Sequence, residues 1–149
     1  MALDQSFIGR SYPPTEPYAV AREKIREFAA AIGADDPAYR DPAAAAVLGH
    51  PDVIAPPTFP VVLTMAANQT LIDDPALGLD YARAVHGDQR FAYTRPVRAG
   101  DRLVCVGTVE EIMSRGGHDF ITVRTGVTTV SSEPVVTVWS KLVVRGELK

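Results

Sequence analysis

The sequence predicts an α+β protein in which a curled antiparallel sheet wraps around one long central helix. Three observations predict it. The stretch VIAPPTFPVVLTMAANQTLIDD, residues 53–74, is the longest apolar run that reads as a helix. Helical segments come first and β-like segments fill the chain from Ala84 onward, which is the order of an α+β domain. Tight turns join those later segments, as in an antiparallel meander. A helix with so little polar face wants burial on nearly all sides, and the sheet offers the surface to bury it.

Residues 7–12 are predicted as a short strand, stopped by Pro13 and Pro14. Tyr18 and Val20 lead into a helix over residues 21–32. There Ile25, Phe28, Ala29 and Ile32 fall at i, i+3, i+4 and i+7 and form one apolar stripe. Glu23, Lys24, Arg26 and Glu27 form its solvated face, and Gly33 stands where a left-handed cap belongs. The next ten residues, GADDPAYRDP, hold two prolines and three aspartates and are predicted irregular. Asp41 then reads as an N-cap with Pro42 at the first helical position, opening a small helix over 43–48 that Gly49 closes. In the central run Phe59, Val62, Leu63, Ala66 and Leu71 recur at roughly helical spacing. Pro57 and Pro60 are tolerable there only in a first turn.

From Ala84, Val85, Gly87, Gln89, Phe91 and Tyr93 alternate with His86, Asp88, Arg90 and Ala92, a strand that Arg95 and Pro96 end. Residues 103–112, 120–130 and 135–144 are predicted as three long strands, with turns at 114–118 and 131–134. They form a meander, with the preceding strand added at one edge. No repeat, linker or second domain is expected, so residues 1–149 read as a single domain. A strongly twisted sheet curling round one long apolar helix is the hot-dog arrangement.

The totals exclude several classes. A chain of 149 residues can bury a core, and 46% hydrophobic with 22% charged residues is ordinary globular composition. A net charge of −3 argues against a nucleic-acid surface. The central run is too short and too interrupted to span a bilayer. One cysteine, Cys105, excludes an internal disulfide and suits a reducing cytoplasm, and the start MALDQSFIGRSY lacks the pattern of a signal peptide. A cytoplasmic protein is expected. Three histidines without close spacing give no metal site. No Gly-rich phosphate loop or GxSxG elbow points to a cofactor or a nucleophile. Cys105, mid-strand between Val104 and Val106, reads as a buried, inert thiol.

Two segments carry a resemblance. VAREKIREFAAAIGADDPAYRDPAAAAVLGHPDVIAPPTF resembles the opening of MaoC-like, hydratase-type hot-dog domains (the FAS1-like dehydratase N-terminal domain), and VHGDQRFAYTRPVRAGDRL resembles the strand that follows their helix. The likeness covers roughly residues 7–145. It is strongest to short actinobacterial proteins similar to the non-catalytic subunits of (3R)-hydroxyacyl-ACP dehydratase heterodimers. The resemblance implies a fatty-acid-type elongation enzyme built from two hot-dog chains, one carrying the acid/base pair and the other shaping the acyl channel.

The departures from the catalytic pattern bear on function. Active members carry Gly-Asp-x-Asn-Pro-x-His after the first helix, and its aspartate and histidine activate a water for addition to a 2-enoyl thioester. Here Ala34 stands at the aspartate position and Tyr39 at the histidine position. Alanine has no proton chemistry, and an unperturbed tyrosine, with pKa about 10, is a poor base at neutral pH. Active members also offer a glycine N–H at the start of the central helix to the thioester carbonyl; here that position is Pro57, which has none. Asp36 and His86 are the substitutes to weigh. Asp36 before Pro37 reads more simply as a turn former, beside Asp35, and His86 could pair with Asp88. His50 and His118 read as surface residues.

The resemblance therefore implies a non-catalytic subunit, inactive alone, of a dehydratase (hydro-lyase) complex that needs no cofactor. The expected partners are a catalytic hot-dog chain supplying Asp and His, an acyl-ACP or acyl-CoA thioester, and a second copy when that chain is missing; no nucleic acid and no membrane are expected. Thr58, Phe59, Val61, Val62 and Met65 are the expected acyl-channel wall, though each apolar one also suits plain core packing. Two alternatives stand beside this: a self-sufficient homodimeric hydratase using Asp36 and His86, and a non-enzymatic acyl-thioester-binding protein.

Overall fold

The computed structural model describes residues 3–147. Its elements in chain order are β1 (Tyr18–Ala19), α1 (Arg22–Ala31), α2 (Pro42–Val47), α3 (Val61–Ile72), β2 (Ala84–Tyr93), β3 (Arg102–Arg115), β4 (His118–Thr129) and β5 (Pro134–Val144). The five strands form one antiparallel sheet in the order β1-β3-β4-β5-β2. The expected meander is therefore β3-β4-β5, with β2 added beside β5. The β3–β4 turn needs Gly116 and Gly117, whose φ angles of 60° and 79° suit the twist of a two-residue hairpin.

Local chemistry accounts for the helix ends. Asp41 Oδ1 accepts the Ala43 N–H and Pro42 opens α2, as expected. The Gly33 N–H donates to Ala30 O and the Ala34 N–H to Ala29 O, with Gly33 at φ 71°, so α1 closes in a Schellman motif. In the stripe of α1, Ile25 and Ala29 are fully buried and Phe28 stacks edge-on against Phe59 at 5.4 Å, but Ile32 lies beyond the last turn and is exposed. The loop after α1 holds one unexpected 3₁₀ turn, Pro37–Tyr39, capped by Asp36.

The predicted strand at residues 7–12 is replaced by a 3₁₀ turn, Gln5–Phe7, and an irregular edge. Residues 9–15 still run antiparallel to β3, through bonds such as Gly9 N–H to Val109 O and Tyr12 N–H to Gly107 O. Pro13, Pro14 and Pro17 lack the N–H groups that a regular ladder needs. Pairing resumes at β1 opposite Leu103.

α3 lies in the concave face of the sheet, and burial is one-sided. Leu63, Thr64, Ala67 and Leu71 are buried, whereas Ala66, Gln69 and Thr70 are exposed and Met65 keeps 65% of its surface. The sheet wraps only one flank, so the expected burial on nearly all sides is not met by this chain alone. The far edge of β2 is also unpaired among the described residues. No described helix is long and apolar enough to cross a membrane.

A β-bulge at Gly87 interrupts β2, between the pairs His86–Leu142 and Asp88–Lys141. Glycine suits this point because a Cβ would lie 2.8 Å from Val143 Cγ2. The bulge reverses the alternation: His86 and Gln89 now share one face, and the His86 ring lies 2.9 Å from Gln89 Oε1.

Cys105 is 1% exposed, and burial pushes its thiol up to about 11. Burial and then the Asp74 carboxylate push Tyr12 up to about 12. Both groups hold their protons more tightly when folded. Their stabilisation is therefore complete below the ordinary thiol and phenol values, near 9 and 10, and is lost as pH rises toward 11 and 12. Melting temperature is expected to fall between about pH 9 and 12, and Ellman's reagent to leave native Cys105 unmodified at pH 8 while labelling it fully in denaturant. Fast labelling of the native protein would contradict this burial.

Candidate functional site

Two concave regions flank α3. The first is a cavity of about 160 Å³ whose lining includes Tyr39, Ile54, Pro57 and Tyr93. The Schellman cap of α1 fixes Ala34, whose carbonyl accepts from Arg40 Nη2 at 3.2 Å. The 3₁₀ turn that follows carries Tyr39 into the cavity. The turn into α3 follows, with Phe59 N–H donating to Pro56 O and Val61 N–H to Thr58 O. Pro57 and Pro60 have no N–H, so this helix start presents far fewer donors than an ordinary N-terminus. The one polar atom that Pro57 contributes is its carbonyl, which accepts the Tyr93 hydroxyl at 2.5 Å. Burial, and then the Tyr39 phenol, push the Tyr93 hydroxyl well above the ordinary phenol range.

This cavity holds hydrogen-bonding phenols and no carboxylate or imidazole among its lining residues. Nothing in it resembles an acid/base pair poised near neutrality. Tyr93 was not singled out from the sequence, although its place on the Phe91 face of β2 was legible there.

The second region is a groove of about 340 Å³ between α3 and the β2–β5 side of the sheet. Val61, Met65 and Ile72 supply one apolar wall, and Ala84, Val85 and Leu142 the other. Thr64, Asn68, His86 and Ser140 form a polar band across it. Ser140 Oγ donates to Gln89 Oε1 at 3.2 Å, the same oxygen that the His86 ring approaches. Among the described residues no cluster of three metal-ligating side chains exists.

The residues singled out from the sequence are dispersed. Val61 and Met65 line the groove. Phe59 is fully buried against Phe28, Val62 packs against the same core, and Thr58 is exposed at the start of α3. Asp36 is exposed and its Oδ1 accepts the Ala38 N–H at 2.9 Å, a cap. His86 faces the groove and pairs with Gln89; Asp88 turns away beside Lys141 and its Oδ1 accepts the Gln89 N–H, so the anticipated His86–Asp88 pair is absent. His118 Nδ1 accepts the Gly146 N–H in the β3–β4 hairpin.

Residues 6–138 match the family model described as FAS1-like, dehydratase domain region. The chain belongs to that family. A UPF0336 protein of Streptomyces coelicolor is 61% identical to this chain over 145 residues, 97% of each. The truncated HadBC (3R-hydroxyacyl-ACP dehydratase) complex of Mycobacterium tuberculosis contains a chain similar at TM-score 0.84 and 31% identity, with 96% of this chain and 99% of that one covered. A solved MaoC-like dehydratase is similar at TM-score 0.88 and 33% identity, covering 95% of this chain and 43% of that one. The expected hot-dog fold and the resemblance to MaoC-like dehydratases are thereby both borne out.

Proposed function

We propose that this chain, one hot-dog domain, is the non-catalytic subunit of a heteromeric (3R)-hydroxyacyl-thioester dehydratase acting in the fatty-acid elongation direction or its reverse, 2-enoyl hydration. A partner hot-dog chain supplies the aspartate and histidine, and this chain completes the double hot dog and bounds the acyl channel. The carrying observation is the cavity beside the start of α3, whose lining includes Tyr39, Pro57 and Tyr93 but no carboxylate or imidazole, and where Pro57 has no N–H to offer. One-sided burial of α3, the unpaired edge of β2 and likeness to a chain of the HadBC complex support a partner. Of the five wall residues, Val61 and Met65 are the ones that face the groove; acyl chains bind there chiefly by area removed from water, about 25 cal/mol per Å².

The self-sufficient hydratase gains no support, because Asp36 caps a turn on the surface while His86 is engaged in the groove. The deciding experiment is hydration of a trans-2-enoyl thioester by the purified chain, alone and mixed with an Asp- and His-bearing hot-dog chain. Activity in the mixture only is expected. Turnover by the lone chain, abolished by His86→Ala or Asp36→Asn, would overturn the proposal, and tight thioester binding with neither turnover nor partner would favour a non-enzymatic binder.

A further inference from the structure

Among the residues that line the groove between α3 and the β2–β5 side of the sheet, His86 is the one whose charge changes near neutrality. The others are apolar, amide, hydroxyl or phenol side chains. His86 is exposed in this chain, so the imidazole is open to whatever enters the groove. Its Nε2 lies 2.9 Å from Gln89 Oε1, an oxygen that also accepts the Ser140 hydroxyl at 3.2 Å. A carbonyl oxygen only accepts, so Nε2 carries the hydrogen and Nδ1 is the nitrogen that takes up a proton in acid. The charged groups nearest along the chain are engaged elsewhere. Asp88 lies on the opposite face beside Lys141, and its Oδ1 accepts the Gln89 N–H. Asp80 pairs with Arg83 at 2.9 Å, and Asp73 accepts from Gln69 Nε2 at 2.8 Å. A protonated His86 therefore has water for a partner and no carboxylate.

We propose that His86 is a specificity-determining residue of the groove, which admits an uncharged acyl chain when the ring is neutral and rejects it when the ring is protonated. Val61, Met65, Ile72, Val85 and Leu142 are the apolar surface on which such a chain would lie. A chain laid there displaces the water around the imidazole. Covering an unpaired cation costs far more than covering a neutral ring. The filled groove thus holds fewer protons than the empty one. Binding is at full strength above the imidazole range and is lost as pH falls through it. The bulge at Gly87 builds this device. Under unbroken alternation His86 would share the face of Asp88, whose carboxylate would offset the ring's charge. The inference rests on reading the groove as an acyl wall, but its test uses this chain alone and a saturated ligand that cannot be hydrated. Failure of dehydratase activity and failure of this binding are therefore separate results.

The experiment is calorimetric titration of the full chain with the N-acetylcysteamine thioester of decanoate, which is uncharged, at pH 8 and at pH 5. Affinity is expected to be about tenfold weaker at pH 5. His86→Gln, which keeps an uncharged donor for Gln89 and removes the titration, is expected to bind equally at both values and within about twofold of the parent at pH 8. Proton NMR of the parent's imidazoles is the second measurement should that variant fail to fold. Near pH 6.5, adding the thioester is expected to move the His86 signals toward their neutral positions. The signals of His50 and His118, which do not line the groove, are expected to stay in place. Equal affinity of the parent at both pH values, a dependence that survives His86→Gln, no binding at either pH, or unmoved His86 signals would each overturn the proposal.

Discussion

Hydration of a trans-2-enoyl thioester by this chain mixed with an Asp- and His-bearing hot-dog chain is expected to exceed hydration by the chain alone by at least about 10⁴-fold. A positioned acid/base pair contributes about 10²–10⁴, and a helix-start N–H aimed at the developing oxyanion about 10²–10³. The cavity beside α3 is lined by no carboxylate or imidazole, and Pro57 there presents a carbonyl that already accepts from Tyr93. Spectrophotometric loss of the enoyl absorbance reads the difference directly. Tyr39→Phe in the mixture is the companion measurement. If Tyr39 does no proton chemistry, the rate is expected to stay within about twofold of the parent mixture. A drop of a hundredfold would make Tyr39 a catalytic residue and would sink the non-catalytic reading.

Replacing Asp101 by alanine is expected to destabilise the protein by about 3–5 kcal/mol, the usual cost of leaving one partner of a buried ion pair alone. Asp101 is 7% exposed at the turn before β3. Its two oxygens accept from Arg95 Nη1 and Nη2, each at 2.9 Å, and Oδ2 also accepts the Arg98 N–H. Arg95 in turn reaches Glu133 in the β4–β5 turn and the Pro96 carbonyl. The carboxylate thus joins the end of β2, the start of β3 and a distant hairpin, and its removal strands a guanidinium that is itself largely buried. For a chain of this size the loss corresponds to a fall of about 6–20 °C in melting temperature. Arg22→Ala, which breaks the Arg22–Asp52 pair, is the control. That bridge is also bidentate but solvent-exposed on the arginine side, and its removal is expected to cost within about 1 kcal/mol. Equal effects from the two substitutions would mean that burial of the Arg95 network contributes little.

Much of the molecule was legible because its causes are local. Asp41 followed by Pro42 caps α2 from within two residues, Gly33 permits the left-handed residue that closes α1, and the paired glycines at 116 and 117 suit a tight hairpin. Long runs of alternating β-branched residues made three strands and their meander order. What two positions lack was equally legible, since Ala34 has no side-chain proton to give and Pro57 no N–H in any conformation.

The errors share a different origin. The N-terminal strand failed at its prolines, where pairing with β3 depends on which N–H groups exist opposite a distant partner. Period-two alternation put His86 and Gln89 on opposite faces of β2. The bulge at Gly87 put them on the same face, because pairing with Leu142 and Lys141 and the close approach of Val143 decide the register there. Tyr93 meets Pro57 across 36 residues, and the unpaired buried atoms of Asn68, Gln89 and Thr125 lie on a helix and two strands. The sequence by itself determined most of the elements, their caps and what Ala34 and Pro57 cannot supply, all set by chemistry acting within a few residues. Only the tertiary structure decided which flank of α3 is covered and which polar atoms are left unpaired, because those depend on contacts between segments that no window along the chain contains.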